Sequence, residues 1–173
     1  HSKIDTTTTS SNGEQPTLAT NGRSRPGATE QVEALNELLA SYAVHYQKLR
    51  NFHWNVVGTD FFDVHEKLEE QYRQAGEAVD AIAERIRVFG ATPLSSMQAF
   101  LATTHIAECA PTGDSGRIVS EVVQDQEMLL HQLGKVLERA VAYHDHGTED
   151  LMKGQIRYIE KRQWMWRAFQ QRA

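Results

Sequence analysis

Cysteine, proline and long apolar runs are all scarce in this sequence of 173 residues. The single cysteine, Cys109, excludes an intrachain disulfide framework and fits a reducing compartment such as the cytoplasm. No apolar run approaches the ~20 residues that a membrane-spanning helix needs. The chain starts at His1 with a polar, Thr-rich stretch that does not show the pattern of a signal peptide. The length suits one domain with a substantial core and is short for two.

Basic residues are also fewer than acidic ones, with 18 Lys and Arg against 23 Asp and Glu and a formal net charge of −5. Proteins that bind nucleic acid through phosphates usually carry a basic face, so this balance argues against DNA as the main partner. Residues 1–27 are predicted to be a disordered tail, because they combine TTTTSSNG with two prolines and almost nothing apolar. The tail's side chains carry a net charge of about +1, which makes it a weak DNA-binding arm.

From Thr29 onward, apolar residues recur in steps of three and four, which is typical of amphipathic helices. Four long helices are predicted. The first three lie at about residues 29–53, 61–89 and 116–143, and the fourth follows a turn at 144–147. A long connection, 91–115, joins the second and third, and a short helix is expected within it around Ser95 to Ala102. No strand signal is present. Residues 28–173 are therefore predicted to form one all-α domain, an up-down-down-up four-helix bundle with the crossover topology of ferritin-like proteins.

Five polar residues occupy positions that such a bundle would bury in its core or in an interface. Four of them, on the second helix, fall within an arc of about 100° beside its apolar stripe; the fifth continues the apolar series of the first helix. The five are His53, His65, Glu69, Asp80 and Glu84. Carboxylates with one or two imidazoles suit Fe(II), and the Irving–Williams order makes Zn(II) a tighter-binding competitor.

The spacing of these residues restricts how they can bind a metal ion. His65 and Glu69 are one turn apart, as are Asp80 and Glu84, so each pair can chelate from one side. The two pairs are separated by roughly 22 Å along a helix, whereas metal bonds are about 2.0–2.2 Å long. Two antiparallel copies of the second helix, related by a two-fold axis, would bring the pair of one copy against the pair of the other. The intrachain Glu-x-x-His motif of ferritin-like di-iron centres is absent from the sequence.

Each of these residues also has an ordinary structural explanation. A lone histidine on an apolar face, such as His53, is usually a hydrogen-bonded core residue, and exposed carboxylates usually form salt bridges, here with Arg85 or Arg87. A helical bundle in which the carboxylates serve only as an interface network is therefore an alternative. Normal assembly without metal uptake would favour it. The combination of residue types at these spacings favours metal binding.

The stretch NFHWNVVGTDFFDVHEKLEEQY, followed by EAVDAIAERIRVFGATP, resembles the signature of the Dps family, or mini-ferritins. The resemblance covers about residues 29 to 170. It implies a hollow dodecameric shell that oxidises Fe(II), preferably with hydrogen peroxide, stores ferric mineral and protects against oxidative stress. It further implies ferroxidase sites at two-fold interfaces.

The resemblance also assigns roles to the individual residues of each site. One subunit would supply His53, His65 and Glu69, and its partner would supply Asp80 and Glu84, with Glu84 bridging the two metal ions. Trp54 corresponds to the family's site-adjacent tryptophan, to which interception of oxidising equivalents is attributed. Glu69 departs from the aspartate that the family more often has, which changes the reach of this ligand toward the second metal.

Two further expectations follow from the same resemblance. Acidic residues near the start of the third helix would line a channel for iron, and Glu121 and Asp125 are the candidates; an acidic helix start favoured by the helix dipole explains them equally well. Many Dps proteins compact DNA, so the alternative function is a nucleoid-associated DNA-binding protein with little ferroxidase role. The weak charge of the tail argues against that alternative.

Overall fold

The computed structural model describes residues 27–171, so the predicted tail, apart from residue 27, lies outside the described residues. The helices are α1 Ala28–Asn55, α2 Phe61–Val88, α3 Met97–Thr103, α4 Ser115–Ala142 and α5 His146–Gln170. No strand occurs between residues 27 and 171, and no helix in that range is both long and apolar enough to cross a membrane. The predicted all-α bundle is confirmed, and α3 is the short helix expected in the crossover.

The four long helices pack in the predicted order. α1 packs against α2 and α4, α4 against α5, and the crossover helix α3 against α1. Long polar side chains join α2 to α5, as in the 2.7 Å hydrogen bond from Gln74 Nε2 to Gln155 Oε1. The turn between α1 and α2 contains Gly58 at a φ of 106°, a conformation that L side chains rarely adopt. This turn places the end of α1 beside the start of α2.

The core consists mainly of apolar residues that recur in steps of three and four along the long helices. Fully buried examples from the four long helices are Leu35, Leu39, Leu68, Ile82, Leu129, Leu133 and Met152. Burying one such large side chain contributes about 1.5–3 kcal/mol. The apolar stripes thus orient each helix, and the polar residues next to a stripe are fixed in position as a consequence.

The turn between α4 and α5 is shorter than predicted. Residues 144–147 were expected to form it, but α5 already begins at His146, so the prediction for His146 and Gly147 is wrong. The reason is helix capping: Asp145 Oδ1 accepts a hydrogen bond from the backbone N–H of Thr148 at 3.3 Å. The same carboxylate pairs with Arg85 of α2 at 2.5 Å, which anchors the start of α5 to α2.

Candidate metal centre

The end of α1 and the start of α2 present two histidines that fix each other's orientation. His53 Nδ1 lies 2.8 Å from the backbone oxygen of His65, and His65 Nδ1 lies 2.8 Å from the backbone oxygen of His53. A carbonyl oxygen only accepts hydrogen bonds, so each Nδ1 carries the proton and donates it. In the neutral rings each Nε2 then keeps a lone pair for a metal ion, which is the usual arrangement of a metal-binding histidine.

The two imidazole rings are held by aromatic neighbours as well. They stack on each other with centroids 3.7 Å apart and an interplanar angle of 18°. Phe61 stacks on the outer side of His65 at 4.8 Å, and Tyr72 meets His53 edge-on at 5.2 Å. His53 is only 8% exposed. The pair is therefore preorganised by contacts within one subunit. Phe61 and Tyr72 could not be recognised as its supports from the sequence, because both belong to the apolar pattern of α2.

Glu69 lies one turn beyond His65 on α2 and is half-buried. Its Oε1 forms an ion pair with Nη2 of Arg73, one further turn along the same helix. This contact was not predicted above, although a spacing of four residues is the usual signal for it. In the single subunit the Glu69 carboxylate is thus paired with a guanidinium.

Asp80 and Glu84 lie farther along α2, and both are exposed. Asp80 follows Glu69 by eleven residues, or roughly 16 Å of helix. Within residues 27–171, no three His, Cys, Asp or Glu side chains come close enough together to hold one metal ion. His53 lies at the end of α1, His65 and Glu69 lie near the start of α2, and Asp80 and Glu84 lie farther along α2, so one subunit does not bring the five side chains together. The assignment of these five residues to one site remains a prediction about a dimer.

The surface beside the histidine pair is rich in exposed aromatic residues. Trp54 is 58% exposed and Phe62 is 81% exposed. The Arg50 guanidinium lies 4.9 Å from the centroid of the Trp54 ring and 5.3 Å from that of Tyr46, within the range of cation–π attraction. Large aromatic residues exposed next to an incomplete site are typical of a surface that another subunit covers.

The two residues proposed to line an iron channel lie in a different environment. Asp125 is buried, with Oδ1 2.9 Å from Lys48 Nζ and Oδ2 3.4 Å from His45 Nδ1. Lys48 Nζ also lies 3.2 Å from Glu121 Oε2. The structure therefore shows both acids in an ion-pair network between α1 and α4. The channel role stays a prediction, and the buried position of Asp125 argues against it.

This chain is similar to known proteins both in sequence and in fold. The ferritin-like domain matches residues 32–173. DNA protection during starvation protein 2 of Bacillus anthracis is 40% identical over 138 residues, which are 80% of this chain and 94% of that protein. A Dps protein of Vibrio cholerae O1, described as a member of a broad superfamily of ferritin-like diiron-carboxylate proteins, has a TM-score of 0.80 at 36% identity, covering 88% of this chain and 92% of the other. Dps of Staphylococcus aureus has a TM-score of 0.81 at 33% identity, covering 84% and 97%.

Proposed function

This chain belongs to the Dps family of ferritin-like proteins, and from that membership we propose that it oxidises Fe(II) with hydrogen peroxide at di-metal sites shared between two subunits. The ferric product is stored inside a closed dodecameric shell. The observation that carries the proposal is the preorganised His53–His65 pair, whose Nδ1 atoms face backbone carbonyls and leave each Nε2 for a metal ion, with His65 one helical turn before Glu69. Iron is the substrate and the cargo of this reaction.

A single antiparallel register of α2 against α2 completes both sites of a dimer. If Glu84 of the partner subunit lies opposite His65, Asp80 of the partner subunit lies opposite Glu69, because both pairs share a midpoint between residues 74 and 75. A two-fold axis crossing α2 at that midpoint produces two identical sites. The exposure of Asp80 and Glu84 in the single subunit is what such an interface requires.

The proposed site suits a two-electron reaction. Each of two Fe(II) ions gives one electron to hydrogen peroxide, the O–O bond breaks, and two Fe(III) ions and two hydroxide ions result. Because both electrons are delivered together, no hydroxyl radical is released. The carboxylates of Glu69, Asp80 and Glu84 would offset the charge of the two metal ions, and the imidazoles of His53 and His65 would supply neutral nitrogen ligands. The same donors bind Zn(II) more tightly than Fe(II), so zinc is expected to inhibit the reaction.

The stoichiometry of the reaction tests the proposed chemistry. We expect two Fe(II) to be consumed for each hydrogen peroxide under anaerobic conditions, with no hydroxyl radical trapped, because the two electrons come from one site. Titration with absorbance detection of Fe(III), together with spin trapping, measures both quantities. Protein preloaded with Zn(II) is the matched control and should oxidise iron no faster than buffer does. The proposal would be contradicted if the untreated protein oxidised iron no faster than buffer does, or if it released as much hydroxyl radical as buffer does.

DNA binding is the second candidate, and the name of the relative from Bacillus anthracis is the observation that favours it. A shell that consumes iron and peroxide protects DNA without touching it, and a net charge of −5 provides little attraction for phosphates. A gel-shift assay at low and moderate salt distinguishes the two functions. Retention of DNA at moderate salt would support direct binding.

A further inference from the structure

Arg73 of α2 contacts one candidate metal ligand directly, because its Nη2 forms the ion pair with Glu69 Oε1. The residue before it in the chain is Tyr72, whose ring meets His53 edge-on at 5.2 Å. An arginine side chain stays charged in proteins, so Arg73 brings a permanent positive charge to Glu69.

The position of Arg73 along α2 is also informative. At about 100° per residue, Arg73 falls inside the arc that contains the four candidate ligands of this helix. It is next to the midpoint between residues 74 and 75, where the proposed two-fold axis crosses. The same register sets Arg73 opposite Gly76 of the partner subunit.

When no metal ion is bound, the negative charges of the proposed site require another cation. Glu69 meets Asp80 and Glu84 of the partner subunit, so three carboxylates face each other. Like charges brought together at an interface repel, and a desolvated carboxylate needs a partner. Arg73 is the cation that the single subunit already holds against Glu69.

We propose that Arg73 is a built-in counter-ion that holds Glu69 in the metal-free protein and is displaced when the second metal ion binds. This inference rests on the proposed function. Arg73 thereby acts as a positioning residue that weakens the second metal-binding step and keeps the metal-free interface intact. The metal ion that Glu69 does not hold meets no such competition, so the two steps differ in affinity.

Calorimetric titration of the assembled full-length protein with Zn(II) tests the inference. Arg73→Gln is expected to tighten the weaker of the two binding steps by about twofold to fivefold, the range that loss of an exposed ion pair spans. Arg73→Lys keeps the charge without the planar guanidinium and should give a smaller change. Arg167→Gln is the matched control, because it removes an exposed ion pair with Glu127 away from the site, and it should leave both steps unchanged.

The melting temperature supplies a readout that does not depend on activity. Arg73→Gln should melt lower than wild type without metal and show a larger rise with Zn(II), since zinc replaces the missing charge. Assembly of Arg73→Gln only with Zn(II) present would support the inference in the same way. The inference would be overturned if Arg73→Gln left both Zn(II) affinities and the melting temperature unchanged. If His53→Ala still abolished the two zinc-binding steps, the proposed function would stand. Zinc binding that neither His53→Ala nor Asp80→Asn affects would contradict the proposed function itself.

Discussion

Replacing Asp80 with asparagine is expected to slow peroxide-driven Fe(II) oxidation by at least about a hundredfold, since groups that merely orient a metal ligand already contribute 10- to 100-fold. The amide is neutral and is a weaker metal ligand than the carboxylate. Asp80 is exposed in the single subunit, and Asn and Asp have similar helix propensities. Folding and assembly should therefore be retained, and the loss should appear in the reaction alone.

Stopped-flow absorbance of Fe(III) measures this rate, and size-exclusion chromatography checks the assembly of the same samples. Glu138→Gln is the matched control, because it removes one negative charge from an exposed position on α4. Its rate should equal that of wild type. An Asp80→Asn protein that assembles normally and keeps a third or more of the wild-type rate would exclude Asp80 as a ligand.

Replacing Lys48 with methionine is expected to lower the free energy of unfolding by about 3–5 kcal/mol, the cost of leaving a buried charge without its partner. Lys48 is 4% exposed and joins α1 to α4 through Asp125 and Glu121. Methionine has a similar length but no charge. Glu121 can turn toward solvent, whereas Asp125 is buried and would keep only the 3.4 Å contact with His45.

Urea denaturation at one fixed protein concentration measures this loss, since the stability of an oligomeric protein depends on its concentration. The exposed Lys135→Met on α4 is the matched control and should be near neutral. The double variant Lys48→Met with Asp125→Leu should recover most of the loss, because an apolar pair of similar volume can replace a buried ion pair. A loss below about 1 kcal/mol for Lys48→Met would mean that the network contributes no more than a surface pair.

The helices and their order could be predicted because their signals are local. Apolar residues every three or four positions define each long helix, and the long link before α4 indicates the crossover. The start of α5 could not be predicted as well, because Asp145 is fixed by Arg85, which is distant in the chain. A helix boundary that depends on such a contact leaves no periodic signal.

The candidate site shows the same division between local and long-range information. The spacing of His65, Glu69, Asp80 and Glu84 along one helix is local, and it already indicates that one chain cannot complete the site. The exchange of hydrogen bonds between His53 and His65 depends on the fold of the turn at Gly58. The burial of Lys48 depends on α4, far along the chain, and a lysine beside an apolar stripe normally indicates the surface.

Co-expression of two inactive variants tests most directly whether each site is shared between subunits. One variant carries His53→Ala and His65→Ala, and the other carries Asp80→Asn and Glu84→Gln, so neither forms an intact site alone. In randomly mixed shells, about a quarter of the sites combine an intact half from each variant, and we expect about a quarter of the wild-type ferroxidase activity. Mixed shells as inactive as either parent, beside an active wild type, would contradict a site built from two subunits.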